Sequence, residues 1–323
     1  MTTPAPPESL PEPLIELRGL TKRFGARLAL DALDLRVGRG EIFGLLGHNG
    51  AGKSTAIGLM LGQVWPTAGT ARIGGHDVHR HRRRALARVG ALFETPAFYD
   101  YLSGWRNLEI FTQYTAVAPA TRLREVVDWV GLSSRIHTRV RTYSHGMRAR
   151  LALAQALLPQ PELLILDEPA DGLDPEGIHE LRQTLLRLRA ELGLTLLLSS
   201  HLLSEVEQLC TRIAVLRQGR KVFEGTLAEV RQTANWVRLV TRDFTAATAR
   251  LREAGLILRE RDGACVQLAP GVEPHELVRR LVAWNFPVYE IAREQQSLES
   301  FYLALMRPNA GESPAPANVS ARS

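Results

Sequence analysis

No stretch of this sequence stays apolar for long enough to cross a bilayer. The richest runs, at 163–166 and 194–198, are the length of buried strands, whereas a spanning helix needs about 18 apolar residues or more. The chain therefore builds no helical pore of its own. Cysteine is nearly missing: Cys210 and Cys265 are too few and too far apart for a disulfide framework or a zinc ligand set. Both are expected to be buried packing residues in a reducing compartment. Lysine is scarce too, since of 40 basic residues only Lys22, Lys53 and Lys221 are lysine. None follows an asparagine, so the Asn-Lys-x-Asp element by which GTPases read guanine is absent. The N-terminal MTTPAPPESLPEPL lacks the basic start and apolar centre of a secretory signal and reads as a flexible Pro-rich tail, which leaves a cytoplasmic location as the expectation.

With 323 residues, 45% of them apolar and 23% charged, the chain has material for one large compact domain and a smaller appendage. The formal charge of +6 is densest in HRHRRR at 79–84. A solvated first turn of a surface helix and a phosphate contact both fit that cluster, and no nucleic-acid partner is expected.

The apolar run at 41–46 has strand character and leads directly into GHNGAGKST, which is Gly47, His48, Asn49, Gly50, Ala51, Gly52, Lys53, Ser54 and Thr55. This is GxxxxGK[ST] between a strand and a helix. Its glycines let backbone N–H groups approach phosphate oxygens, and the helix starting near Ser54 adds the positive end of its dipole. Lys53 then reaches the β- and γ-phosphates, and the Ser54 hydroxyl ligates Mg²⁺. A second buried-strand run, 163–166, ends in Asp167 and Glu168. It fits beside the loop strand in a parallel sheet, with Asp167 holding Mg²⁺ through water and Glu168 orienting or deprotonating the attacking water. A third run, 195–200, delivers His201 to the same sheet edge, within reach of the γ-phosphate.

Together these residues resemble the ABC transporter ATPase family: GHNGAGKST, then LLILDEP, ADGLDP and SSH, in that family's order. Between loop and acidic strand, YSHGM at 143–147 followed by RARLALAQALL resembles its signature segment, and the likeness spans about 14–228. The resemblance implies an ATPase with ATP and Mg²⁺ as ligands. It also implies a head-to-tail homodimer in which Ser144 and Gly146 cap the γ-phosphate held by the opposing copy, the dimer driving separate integral membrane permease subunits from the inner face of the plasma membrane. By the same resemblance Phe24 stacks on adenine, and Asp174 belongs to a loop that communicates across the dimer. Where most members carry a glutamine that touches Mg²⁺, this chain has Glu94, a harder and charged ligand. Glu94, followed after Thr95 by PAFY at 96–99, resembles subunits of bacitracin-type or lantibiotic self-protection and related drug export. A soluble ABC-type ATPase acting on ribosomes or DNA is the alternative; such relatives carry paired or interrupted cassettes, whereas this chain has one uninterrupted cassette. A non-hydrolysing scaffold is disfavoured by the intact Asp167, Glu168 and His201.

The expected fold is an α/β, RecA-like P-loop NTPase sheet domain with an inserted helical signature subdomain, followed by a small α+β ferredoxin-like domain. The expected boundaries are a tail at 1–13, the ATPase domain at 14–230 with its helical subdomain at about 95–158, the accessory domain at 231–308 and a tail at 309–323. Helical periodicity appears at 105–114, 121–130 and 146–158. Phe98, Tyr99, Tyr101 and Trp105 suit either an exposed grip on a membrane subunit's cytoplasmic helix or packing between helices. Beyond Gly225 the pattern β-α-β-β-α-β gives the ferredoxin-like expectation, and 297–306 reads as a closing helix. No catalytic constellation occurs there, so a dimer-steadying or regulatory role is the expectation.

Overall fold

A short apolar run with no polar alternation suits a strand buried on both faces of a sheet, and the computed structural model puts three such runs at the centre of one. It describes residues 13–114, 118–232, 236–261, 264–293 and 297–306. The expected tails, apart from Pro13, lie outside the described residues. Contacts divide the chain into two compact units, one ending at Leu227 and the next beginning at Ala228.

The first unit opens with β1 (Ile15–Phe24), β2 (Arg27–Val37), β3 (Ile42–Leu46), α1 (Lys53–Met60), β4 (Ala68–Ile73), β5 (His76–Asp77), α2 (Arg82–Ala85) and β6 (Val89–Leu92). Helices α3 (Gly104–Tyr114), α4 (Ala120–Trp129) and α5 (His145–Leu157) follow, then β7 (Leu163–Asp167), α6 (Pro175–Leu192), β8 (Thr195–Ser200), α7 (Leu203–Leu209), β9 (Arg212–Arg217) and β10 (Arg220–Thr226), and all of α8 (Leu227–Gln232) but its first residue falls in the second unit. Strands β2-β1-β4-β5 form an antiparallel sheet, and β10-β9-β3-β8-β7-β6 form a second sheet that is parallel except for β10. One apolar core joins Ile15, Leu17 and Leu35 of the first sheet to Phe43, Leu45, Leu163 and Leu197 of the second and to Ile57 and Leu59 of α1.

The acidic strand is not beside the loop strand. β8 lies between them, its Leu196 paired with Ile42 on one side and Leu164 on the other. Every residue of β3, β7 and β8 is buried, so the three runs are equivalent in pattern and only tertiary pairing decides which is central. The C-terminal ends of β3, β8 and β7 still meet at one edge, because the three strands are parallel.

α5 is fixed against this sheet by close approach: a β-carbon on Gly90 of β6 would stand 2.1 Å from the Ala156 carbonyl oxygen. Of the four aromatics expected either to be exposed or to pack between helices, Tyr99 and Tyr101 are exposed and stacked edge-to-face. Phe98 and Trp105 are half-buried instead: Phe98, in the segment before α3, packs on Phe111 of that helix, and the Trp105 indole N–H donates to Glu109. Arg82, Arg83 and Arg84 are exposed, while the His79 ring contacts the Val64 carbonyl oxygen at 2.9 Å.

The second unit contains β11 (Trp236–Thr241), α9 (Phe244–Glu253), β12 (Ile257–Arg261), β13 (Cys265–Leu268), α10 (Pro274–Ala283), β14 (Val288–Arg293) and α11 (Leu298–Met306). Its antiparallel order β12-β13-β11-β14 is that of a ferredoxin-like sheet. Its core of Val237, Leu239, Val266 and Leu268 packs with Ala247, Leu251, Leu277 and Leu281 of the two central helices. Cys210 is buried as expected, and burial pushes its thiol far up. Cys265 is only half-buried.

Candidate functional site

The loop after β3 is held from behind. Gly52 has φ +111 and a β-carbon there would stand 2.8 Å from the Ala29 carbonyl oxygen, so only glycine fits. The Ala51 N–H donates to the His48 carbonyl at 3.0 Å, and the Ala51 carbonyl accepts from Gly219 N–H at 2.9 Å. Ala51 and Gly47 are thus buried backing, while His48, Asn49 and Gly50 face outward. α1 begins at Lys53 and supplies Ser54 in its first turn.

These loop residues border a cavity of about 430 Å³. Its walls are His48, Asn49, Gly50, Gly52, Lys53, Ser54 and Thr55 from the loop, Glu94 from the segment after β6, Glu168 and Asp171 after β7, and His201 after β8. Arg27 and Ala29 of β2 complete it. The parallel sheet edge thus gathers residues from four separate parts of the chain.

Within the cavity Lys53 is buried, and its Nζ donates to the Gly47 carbonyl at 2.8 Å and pairs with Glu168 Oε1 at 3.1 Å. Glu168 Oε2 accepts the His201 backbone N–H at 3.1 Å and lies 2.8 Å from His201 Nδ1. Glu168 has φ +50, which breaks strand alternation and turns its carboxylate away from that of Asp167. Asp167 lies beneath: its Oδ1 accepts from Ser199 Oγ at 2.6 Å and from Ser54 Oγ at 3.4 Å. The same Ser199 hydroxyl accepts the Glu168 N–H at 3.0 Å.

Besides Gly47, Ala51 and Asp167, which lie behind the cavity walls, four expected site residues lie away from them. Phe24 is exposed at the end of β1, paired in register with Arg27. Ser144 caps α5, its Oγ accepting from Met147 N–H at 3.2 Å, and Gly146 opens on free space. Asp174 caps α6 through Gly177 N–H at 2.8 Å. Sequence reasoning missed Ser199, Asp171 and Arg27. The SSH and ADG strings held the first two, but nothing local marks which serine of SSH turns inward.

A glycine loop with its lysine, an acidic strand end and a histidine on one sheet edge define a P-loop ATPase site. The family model described as "ABC transporter" matches residues 30–171. The chain is 37% identical over 292 residues to the ABC transporter ATP-binding protein YhcH of Bacillus subtilis, covering 90% of this chain and 95% of that one. It is 41% identical to the bacitracin transport ATP-binding protein BcrA of Enterococcus faecalis, over 68% of this chain and 71% of that one. Among solved structures, cbiO1 from Clostridium perfringens, part of the cbiONQ transporter complex, superimposes with a TM-score of 0.62 at 26% identity, covering 68% of this chain and 90% of that one. The chain belongs to the ATP-binding proteins of ABC transporters. It is an ATP-binding and ATP-hydrolysing transporter subunit, and the soluble alternative gains no support from these matches. Among the described residues no helix is long and apolar enough to cross a membrane.

Proposed function

We propose that two copies of this chain close head to tail on two ATP molecules, that closure moves separately encoded permease subunits, and that hydrolysis reopens the dimer. The observation that carries this reading is the contact of Glu168 with both Lys53 and His201 at the mouth of the glycine loop. Lys53 and the amides of residues 47–55 bind the phosphates. Glu168 orients the attacking water and takes its proton, while His201 holds the Glu168 carboxylate and reaches the γ-phosphate. Ser144 and Gly146 meet the partner's γ-phosphate, Phe24 offers a π-face to adenine, and Asp174 positions the loop that crosses the dimer.

Hard oxygen donors fit Mg²⁺. Ser54 and Asp167 are 3.4 Å apart and Glu94 is on the same cavity. Among the described residues no group of three or more His, Cys, Asp or Glu could hold a metal alone. Mg²⁺ commonly takes one or two protein oxygens and completes its shell with water and phosphate. When bound it neutralises charge on the phosphates.

The cargo is an export substrate of the antibiotic, peptide or lipid-like kind. Support comes from relatives named for bacitracin transport and, at 39% identity over 68% of this chain, for Nod factor export in Cupriavidus pinatubonensis. The chain sits peripherally on the cytoplasmic face of the membrane, with Tyr99 and Tyr101 meeting the permease's cytoplasmic helix. The accessory domain at 231–308 steadies the dimer, which leaves 14–230 as the ATPase domain and 95–158 as its helical part.

Glu168→Gln tests the reading. It should retain ATP binding, lower turnover by about 100-fold or more, and elute as a dimer with Mg-ATP in size-exclusion chromatography. A normal turnover rate would remove Glu168 from its role; a chain that stays monomeric would remove the closed dimer.

A further inference from the structure

The polypeptide leaving Glu168 makes a tight turn. Asp171 N–H donates to the Glu168 carbonyl and Leu173 N–H to the Ala170 carbonyl, each at 3.1 Å, before Asp174 caps α6. Against this turn lies the ring of His145, the first residue of α5. A β-carbon on Gly172 would stand 3.0 Å from His145 Nε2 and 3.4 Å from its Cδ2, so the imidazole rests directly on the glycine. Gly172 has φ +71, which glycine adopts without strain. His145 also faces Glu94, Glu168 and Asp171 across a small cavity of about 200 Å³.

This contact joins two parts of one chain that serve different nucleotides. The turn at 168–172 belongs to the chain's own cavity, whose wall includes both Glu168 and Asp171. Ser144 and Gly146, on either side of His145, are read above as facing the partner's triphosphate, and the inference rests on that reading. Packed contacts resist compression, so a displaced turn displaces whatever lies against it. No side chain at position 172 cushions the ring.

We propose that His145 is a positioning residue linking the two ATP sites of the dimer: the 168–172 turn pushes on its ring, and the ring sets the start of α5 that Ser144 and Gly146 present to the other copy. Nucleotide state at one site is thereby felt at the second, through packing rather than through a bond from the imidazole to phosphate.

The test is steady-state ATPase activity against ATP concentration for the full chain and for His145→Ala, His145→Phe, Gly172→Ala and the double variant His145→Ala/Gly172→Ala. The wild type should respond sigmoidally. His145→Ala should bring the Hill coefficient to one and lower kcat about ten-fold, with own-site ATP binding unchanged within about two-fold because His145 is not on that cavity's wall. His145→Phe keeps a flat ring on Gly172 and should retain the sigmoidal response. Gly172→Ala should harm the wild type more than the His145→Ala background, since backbone strain is present in both and cancels in the cycle. Additive effects, a hyperbolic wild-type response, or a His145→Phe variant as impaired as His145→Ala would overturn the link. Glu168→Gln versions of each variant separate the two readings. Dimers that form with ATP but show no coupling in the cycle defeat the link alone, whereas absence of dimers in every background defeats the closed-dimer reading beneath it.

Discussion

Lys53 and Glu168 meet at 3.1 Å, Nζ to Oε1, although one opens the helix after β3 and the other follows β7, two strands away in the sheet. Both side chains are largely buried, so the ammonium is shared between the Gly47 carbonyl and the carboxylate rather than hydrated. On the proposed function, a triphosphate entering the cavity would compete for the same ammonium and release Glu168 Oε1 towards water, coupling binding to base activation through one cation.

Lys53→Ala removes that cation and leaves Glu168 with His201 as its partner. Losing a charge-assisted contact of this kind should weaken ATP binding roughly ten- to hundred-fold, measurable by isothermal titration. Unchanged affinity would mean that the phosphates bind elsewhere.

Ser199 is fully buried and serves both acidic residues, donating to Asp167 and accepting from Glu168 N–H. Ser199→Ala leaves an Asp167 oxygen short of a donor, which should cost about 1–3 kcal/mol in urea denaturation. Turnover should fall as well, because both carboxylates lose their alignment. If stability and kcat both match the wild type, the serine has no positioning role.

Glu205 on α7 is the carboxyl that pH should expose. Burial, and after it the negative charge of Glu168, push its pKa up, while His201 and Arg182 act the other way. Its Oε1 is buried with no hydrogen-bond partner among the described residues. A carboxyl whose folded pKa is raised binds its proton more tightly folded than unfolded. Its contribution to stability is complete below the unfolded value, which the reference scale puts near 4.5, and is lost as pH rises through the folded one. Glu205→Gln should therefore raise the melting temperature at neutral pH and flatten its decline above pH ~4.5. A variant that melts earlier at neutral pH, or keeps the wild-type slope, contradicts this account.

Glu94 stands on the cavity wall where an amide would be a weaker ligand. Glu94→Gln should raise the Mg²⁺ concentration for half-maximal ATPase activity about three- to ten-fold. Titrating Mg²⁺ at saturating ATP decides it, and an unchanged midpoint would place the carboxylate outside the metal's reach.

The accessory unit was legible nearly strand for strand, because alternation at 236–240 and 265–268 and turn residues between them are local signals. The partial covering of Trp105 and Phe98 was not, since an aromatic carries no mark of which neighbour will pack on it. The same limit hid Ser199, whose neighbour Ser200 has an identical side chain and bonds Leu202 N–H instead.

The residues themselves determined the phosphate loop. Glycine's access to left-handed backbone and the lysine at the helix start act within nine consecutive positions, so no distant partner is needed to specify them. They also determined that 42–46, 163–167 and 195–200 would be buried strands. Tertiary structure alone decided that β8 separates β3 from β7, that Glu168 is shared by Lys53 and His201, and that His145 rests on Gly172. Those relations depend on hydrogen bonds and contacts between segments far apart in the chain, which become favourable only after the sheet has closed and excluded water.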